Sequence, residues 1–387
     1  RIVAKGMNNY ERARAIATKM ANFRDCVVYS LDCTKFDAHV ALPFLRSVEH
    51  AAYLRLINSP HFQQLLGWQT HNIGRTSGGV KYTCDGGRMS GDVNTASGNV
   101  FQMLCMILGY GRELKIRFDI LDDGDDCLMF IEREDEELVK STIGKAFLDY
   151  GHELKLENRA TELQDVIFCR SKPTYLEIPS DKDLESLPID FAGGLARSGW
   201  VMVRDYRHVL KQSLVSHRHY DQPVMGRRVM RSVGESLSQM YQGCPVLQSF
   251  AQAILRGTCG VKSEGFDHKS GLGYRHFVEF GTWQTKVHSA TTISMVTRTL
   301  FERTWGLPID MQLALEAKYD AMSGIVPPTG LEDVGEDTFP LVDSDGNVTA
   351  WFDVQQGFSD GELFNWEREL PGRRLGIIDL PSGSTAG

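Results

Sequence analysis

The stretch Leu121–Phe130, LDDGDDCLMF, places four aspartates within five residues and then runs straight into apolar sequence. No other feature narrows the fold as much. Upstream, Lys115–Ile120 alternates, with Ile116, Phe118 and Ile120 on one face and Lys115, Arg117 and Asp119 on the other, the period of a strand. Downstream, Cys127–Ile131 reads as a mostly buried strand. Two strands joined through Asp-Gly-Asp predict a hairpin whose turn, at Asp122–Asp126, crowds carboxylates at one edge of a sheet. Bare carboxylates held together repel one another; the arrangement becomes favourable when divalent cations share the oxygen ligands. An Asp-Gly turn needs no metal, so this stretch alone leaves a plain hairpin open.

Two further segments carry the same kind of chemistry. In LDCTKFD, Leu31–Asp37, Asp32 ends a strand-like run that starts at Asp25, and Asp37 follows five residues on. On a continuing strand an odd separation sets the two on opposite faces; a bend after Asp32 lets both face a common cleft. Either could instead be an ordinary strand-end or helix-capping aspartate. In RMSGDVNTASGN, Arg88–Asn99, Ser90-Gly91 reads as a flexible turn into a helix over Gly91–Leu108. There Asp92, Thr95 and Asn99 share a polar stripe, opposite Val93, Val100, Leu104 and Ile107. A polar row facing a cleft suits the reading of hydroxyl groups, and a capped helix with a wet face is the plain alternative.

The remaining pattern is α+β with a mostly antiparallel sheet. Pro43–Asn58 and Glu134–Tyr150 read as helices, the second with four acidic residues in its first turn, where the helix dipole favours them. His71–Gly87 is Gly-rich and reads as a loop or short hairpin, and strands are expected near Glu153–Glu157 and Val166–Arg170. From about Leu184 to Ser323 the sequence looks mainly helical. The 387 residues carry a net charge of −8, which at first argues against a nucleic-acid partner. The segment Leu331–Gly387, however, holds twelve acidic and three basic residues. The rest is close to neutral, with a basic zone of ten Lys/Arg against three Asp/Glu over Ala196–Lys262, compatible with a phosphate backbone. The acidic tail reads as loosely ordered. Eight scattered cysteines without a C-x-x-C pair argue against zinc and for free thiols in a reducing compartment. No run of 18 apolar residues encodes a membrane span. A chain that begins at Arg1 is expected to be a piece of a longer product.

Taken together, the three acidic and polar segments are far more specific than any one. Their order, D-x4-D, then S-G-x3-T-x3-N, then G-D-D, resembles the palm signature of viral RNA-dependent RNA polymerases. SLDCTKFDAHV, GGRMSGDVNTASGNV and LDDGDDCLMF are similar to the tombusvirus-like branch of positive-strand RNA viruses. KGMNNYERARAIATKM resembles the segment before the first palm aspartate, GHELKLENRATELQDVIFCRSKPTY the next two palm motifs, and GCPVLQSFAQAIL a thumb segment. The likeness covers roughly residues 5–260.

The resemblance implies a right-hand polymerase palm, an antiparallel sheet backed by helices, with a mainly helical thumb. Residues 1–24 would be a fingers remnant. The palm would span 25–175, with a fingers-type insertion at about 59–87, the helical thumb 176–325, and the acidic tail 326–387. It implies template-directed RNA synthesis from NTPs with two Mg²⁺ ions, for which Mn²⁺ can substitute. Asp32, Asp125 and Asp126 would be metal ligands. Asp37 and Asn99, with Ser90 and Thr95 nearby, would recognise the ribose 2′-hydroxyl, which both donates and accepts. Gly91 would let its loop flex, and Arg88 would hold a phosphate or a neighbouring carboxylate. Lys155 would protonate leaving pyrophosphate, and Phe168, Cys169 and Arg170 match the primer-grip turn. Asp122 and Asp123 would lie behind the ligands or be exposed. Partners would be an RNA template, the nascent strand, NTPs and other viral replication proteins. The expected location is the host cytoplasm, in replication complexes held to membranes through parts outside this chain. The basic fingers segment that binds the triphosphate in the family has no match here, so the fragment is not expected to be active alone. A reverse transcriptase and a non-catalytic RNA-binding palm remnant are the rival readings. The hydroxyl-friendly Asp37 and Asn99 argue against the first and the intact aspartate set against the second. The whole reading requires three distant segments to bring acidic side chains to one point.

Overall fold

The computed structural model describes residues 1–76, 78–177, 199–215, 223–263, 289–325, 338–342, 348–353 and 357–358. The chain divides into two compact units, one of residues 1–6 and 12–173, the other of 7–11 and 174–387. Both mix helices with antiparallel sheet, the α+β class expected.

The first unit is built on a four-stranded sheet in the order β4-β5-β1-β6, where β1 is Cys26–Cys33, β4 Phe118–Asp122, β5 Cys127–Glu132 and β6 Leu154–Ala160. All its pairings are antiparallel. Alternation along β1 turns Val27, Tyr29, Leu31 and Cys33 into one core. They meet Met103, Met106, Ile107 and Tyr110 of α5 (Thr95–Leu114) and Val139, Ile143 and Phe147 of α6 (Glu136–Asp149). The other face of β1 carries Val28, Ser30 and Asp32. Helix α1 (Asn9–Ala21) opens with a capping box, in which Asn8 Oδ1 accepts from the Glu11 amide and Glu11 Oε2 from the Asn8 amide, both at 2.9 Å. Lys19 near its end donates to Asp119 of β4 at 2.7 Å.

The predicted helix over Pro43–Asn58 is present in three pieces: α2 (Leu42–Phe44), a π-helical turn (Leu45–His50) and α3 (Ala51–Leu56). Ser59 caps α4 (Pro60–Trp68), accepting from the Phe62 amide, with Pro at the first helical position, where its missing N–H costs nothing. The Gly-rich stretch forms a hairpin of β2 (His71–Arg75) and β3 (Lys81–Asp85).

Three local expectations need correction. Helix α5 begins at Thr95, not Gly91, because Gly91 takes φ +105° and residues 89–95 close two successive turns, Met89–Asp92 and Asp92–Thr95. The stripe through Asp92 therefore does not exist, and Val93 stands fully exposed (105 %) rather than on an apolar face. The helix also runs past Leu108 to Leu114, and Gly111 in that extension admits a close neighbour: a Cβ there would lie 2.1 Å from the Phe118 ring. Val166–Arg170 is not a strand. A 3-10 turn (Leu163–Asp165) leads into a two-residue turn, and β7 starts at Ser171 and ends at Tyr175.

In the second unit, β8 (Trp200–Arg204) pairs with β7, so the region is not purely helical. Among the described residues its helices are α7 (Tyr206–Gln212), α8 (Pro223–Met240), α9 (Leu247–Gly257), α10 (Met295–Trp305) and α11 (Ile309–Ala321). They enclose a core that includes Tyr206, Met230, Phe250, Ile254, Phe301 and Tyr319. A buried ion pair, Arg298–Glu316 at 2.7 Å, ties α10 to α11, and Glu316 also accepts from the Val246 amide. The acidic tail is not without order: its β10 (Thr338–Val342), β11 (Val348–Asp353) and β12 (Gly357–Phe358) form an antiparallel meander with β9 (Gly324–Ile325), which just precedes it. Its other residues, and 178–198, 216–222 and 264–288 of the expected helical region, lie outside the described ones. Among the described residues no helix is long and apolar enough to cross a membrane.

Candidate active site

The sheet register decides which aspartates meet. Strands β1 and β5 pair Cys26 with Glu132 through to Leu31 with Cys127. The ladder ends there, and the next residues along the two strands are Asp32 and Asp126, near enough for the Asp32 charge to act on Asp126. The β4–β5 turn has two central residues, Gly124 and Asp125, closed by the Asp123 amide donating to the Asp126 carbonyl at 2.9 Å. Gly124 takes φ +124°, at the first central position where a tight hairpin favours glycine. On the other side, β6 sets Lys155 directly across from Asp32, a spacing of about 5 Å between Cβ atoms. Asp32, Asp125, Asp126 and Lys155 are all exposed.

The four turn aspartates are not equivalent. Asp122 is fully buried, and its Oδ1 accepts from the Gly124 amide at 3.3 Å. Burial pushes its carboxyl up to about 8, so it is neutral at pH 7. Asp123 is paired with Arg12 at 2.8 Å and Lys5 at 3.1 Å. Asp126 is raised by partial withdrawal from water and then by Asp125, Asp123 and Asp32, with Arg170 opposing. Burial, with Asp32 and Asp125, holds the Cys33 thiol up at about 12.

The donor set of Asp32, Asp125 and Asp126, exposed hard oxygens with repulsion left between them, fits a hard divalent cation. Among the described residues, however, no three carboxylate, imidazole or thiol groups converge into a ready metal cage. The register gathers the segments at one sheet end but does not close them on a point.

Asp37 sits in a 3-10 turn (Phe36–His39) after β1. Its Oδ1 accepts from Asn99 Nδ2 at 2.7 Å and its Oδ2 from the Ser90 hydroxyl at 2.5 Å. Asp37, Ser90 and Asn99 are thus brought together. Thr95 does not join them: its hydroxyl donates to the Met89 carbonyl at 3.1 Å. Arg88 is also resolved between its two alternatives. It is buried and pairs with the buried carboxylate of Glu49 at 2.5 Å, so it does not face a phosphate. Its Nε donates to Asn99 Oδ1 at 3.3 Å.

Phe168–Ser171 is a tight hairpin with mutual backbone bonds of 2.9 and 3.0 Å. Cys169 and Arg170 take φ +50° and +58°, the left-handed pair a type I′ turn demands and glycine or asparagine usually supplies. Such strain clusters at functional sites. The turn is tied to the acidic hairpin: Cys169 Sγ donates to Asp123 Oδ2 and accepts from Arg12, each at 3.3 Å.

Sequence reasoning missed Glu49 and Arg12. Glu49 is the lone carboxylate in the apolar helical run 42–56, a signal that was available. Arg12 carried no such mark, because its partner lies 111 residues away.

The profile of the viral RNA-dependent RNA polymerase family matches residues 1–182 and 194–326, and the chain belongs to that family. It is 31 % identical over 350 residues to the RNA-directed RNA polymerase of turnip crinkle virus, covering 88 % of this chain and 41 % of that protein. The polymerases of groundnut rosette virus (29 % over 333 residues) and carnation mottle virus (28 % over 326) each cover 83 % of this chain, which spans 35 % and 39 % of their lengths. The chain thus spans about two fifths of these relatives.

Proposed function

We propose that this chain carries the catalytic palm and thumb of an enzyme that replicates a viral RNA genome, joining NTPs on an RNA template. The observation that carries the reading is the register that brings Asp32 to the sheet end of the Asp123–Asp126 turn, together with the Asp37–Ser90–Asn99 cluster formed after β1. In this reading the β4-β5-β1-β6 sheet with α5 and α6 is the palm, and the helices of the second unit are the thumb. Asp32 and Asp125, with Asp126 assisting, would hold two Mg²⁺ ions, or Mn²⁺ in their place. When bound, such ions activate a 3′-hydroxyl and neutralise a leaving pyrophosphate. Asp37 accepts a hydrogen bond from a ribose 2′-hydroxyl while Asn99 donates to its oxygen, which favours NTPs over dNTPs and disfavours a reverse transcriptase. Lys155, across from Asp32, supplies a proton at the leaving side. Arg170 at its strained turn contacts the primer strand. The host cytoplasm is the site of action, together with other viral replication proteins.

The test is RNA synthesis on an RNA template, by this chain and by a version extended upstream, with and without EDTA. Asp125→Ala is expected to abolish synthesis while RNA binding persists. Near-normal synthesis by that variant would sink the assignment.

A further inference from the structure

The Asp37–Asn99 pair can read a hydroxyl only if the Asn99 amide points its nitrogen, not its oxygen, at Asp37. An asparagine amide is nearly symmetric in shape, so something must fix the choice. Here Arg88 Nε donates to Asn99 Oδ1 and leaves Nδ2 for Asp37. Arg88 is held in turn by the Glu49 carboxylate, which also accepts from Asn94 at 3.0 Å and Gln102 at 2.6 Å. Glu49 is fully buried, on the π-helical turn that also turns Leu45 and His50 inward. Glycine at 98 gives the guanidinium room: a Cβ there would lie 2.3 Å from Arg88 Nη2 and 2.7 Å from Glu49 Oε1.

We infer that Glu49 and Arg88 are positioning residues for sugar selection, acting through the orientation of the Asn99 amide. This rests on the polymerase reading above. With the amide reversed, its carbonyl would face the Asp37 carboxylate, and the donor to the 2′-oxygen would be lost. The cost falls on the ribonucleotide, because a deoxyribose has no 2′-oxygen to bind.

Arg88→Lys separates this from a purely structural role. Lysine keeps a cation against Glu49 but has no fork that can serve Glu49 and Asn99 together. In the polymerase, kcat/KM is measured for one NTP and its dNTP. The rNTP-to-dNTP ratio is expected to fall about fivefold to tenfold, the value of one hydrogen bond, mainly through a higher KM for the NTP. A ratio that stays put, or equal losses for both substrates, overturns the inference. Should Arg88→Lys not fold, Asn94→Ala removes one donor from Glu49 at a half-buried position. Its ratio should fall in the same direction by about twofold, the low end for one hydrogen bond, and an unchanged ratio counts against the inference. Asn99→Ala is the control. If it lowers the ratio while the Arg88 and Asn94 variants do not, the positioning role fails and the ribose reading stands. If it leaves the ratio unchanged, both fall.

Discussion

Gly98→Ala sets two opposed effects against each other. Alanine is the better helix former by about 1 kcal/mol, and Gly98 lies inside α5, so propensity alone predicts a more stable protein. The added Cβ, however, would sit 2.3 Å from Arg88 Nη2 and 2.7 Å from Glu49 Oε1. Both are buried and hydrogen-bonded from several sides, so neither can swing into water. Separating a buried ion pair costs about 3–5 kcal/mol. Packing therefore wins, and the net loss is about 2–4 kcal/mol. Amide hydrogen exchange read by mass spectrometry localises it: residues 45–50 and the first turns of α5 should exchange about thirtyfold faster or more, since each 1.4 kcal/mol is tenfold. Exchange in those segments that stays equal or slows would refute the claim that the pair needs a glycine beside it.

Asp122→Asn tests the neutral carboxyl. With its carboxyl raised to about 8 by burial, folded Asp122 keeps a proton that the unfolded chain releases near pH 4. Stability should thus fall as pH rises from about 4 to about 8, by up to about 1.4 kcal/mol per unit, and level off above. Asparagine resembles the protonated form, so urea melts of the variant from pH 5 to 9 should lose this slope; a slope identical to the parent's would refute the assignment. Arg12→Met leaves Asp123 with Lys5 as its remaining ion-pair partner and unties Cys169. It should cost about 1–3 kcal/mol, seen as a lower melting temperature, with partial recovery in Arg12→Lys; a melt equal to the parent's would show the strut to be idle.

Much of the first unit was legible because its signals are local. Period-two alternation marks β4, a continuous apolar run marks β5, and the Asp-Gly step marks their turn. The Asp37–Asn99 meeting could be anticipated from the resemblance, yet the helix stripe offered for it was wrong. Asn99 reaches Asp37 from a buried position at the start of α5, after a turn that Gly91 makes left-handed. Periodicity cannot see that, because a positive φ resets the phase of the helix. The turn at Cys169-Arg170 was expected from the resemblance but not from its own residues, since neither prefers the left-handed region. Glu49 stood out as the lone carboxylate of its run, but its burial was hidden by the π turn, which departs from the 3.6-residue period that locates buried helix positions.

The crowding of aspartates that opened the problem is resolved by dividing them. Alternation along β4 buries Asp122, and its burial removes the charge, so it adds no repulsion at pH 7. Asp123 is neutralised from the N-terminal segment and α1 by Lys5 and Arg12. Only Asp125 and Asp126 remain bare, and Asp32 joins them from the next strand by register. Two negative charges are thus disposed of behind the turn, and three are left at the exposed sheet end. Asp126 is raised first by its partial withdrawal from water and then by repulsion from Asp125, Asp123 and Asp32; that second part is what a bound dication would relieve.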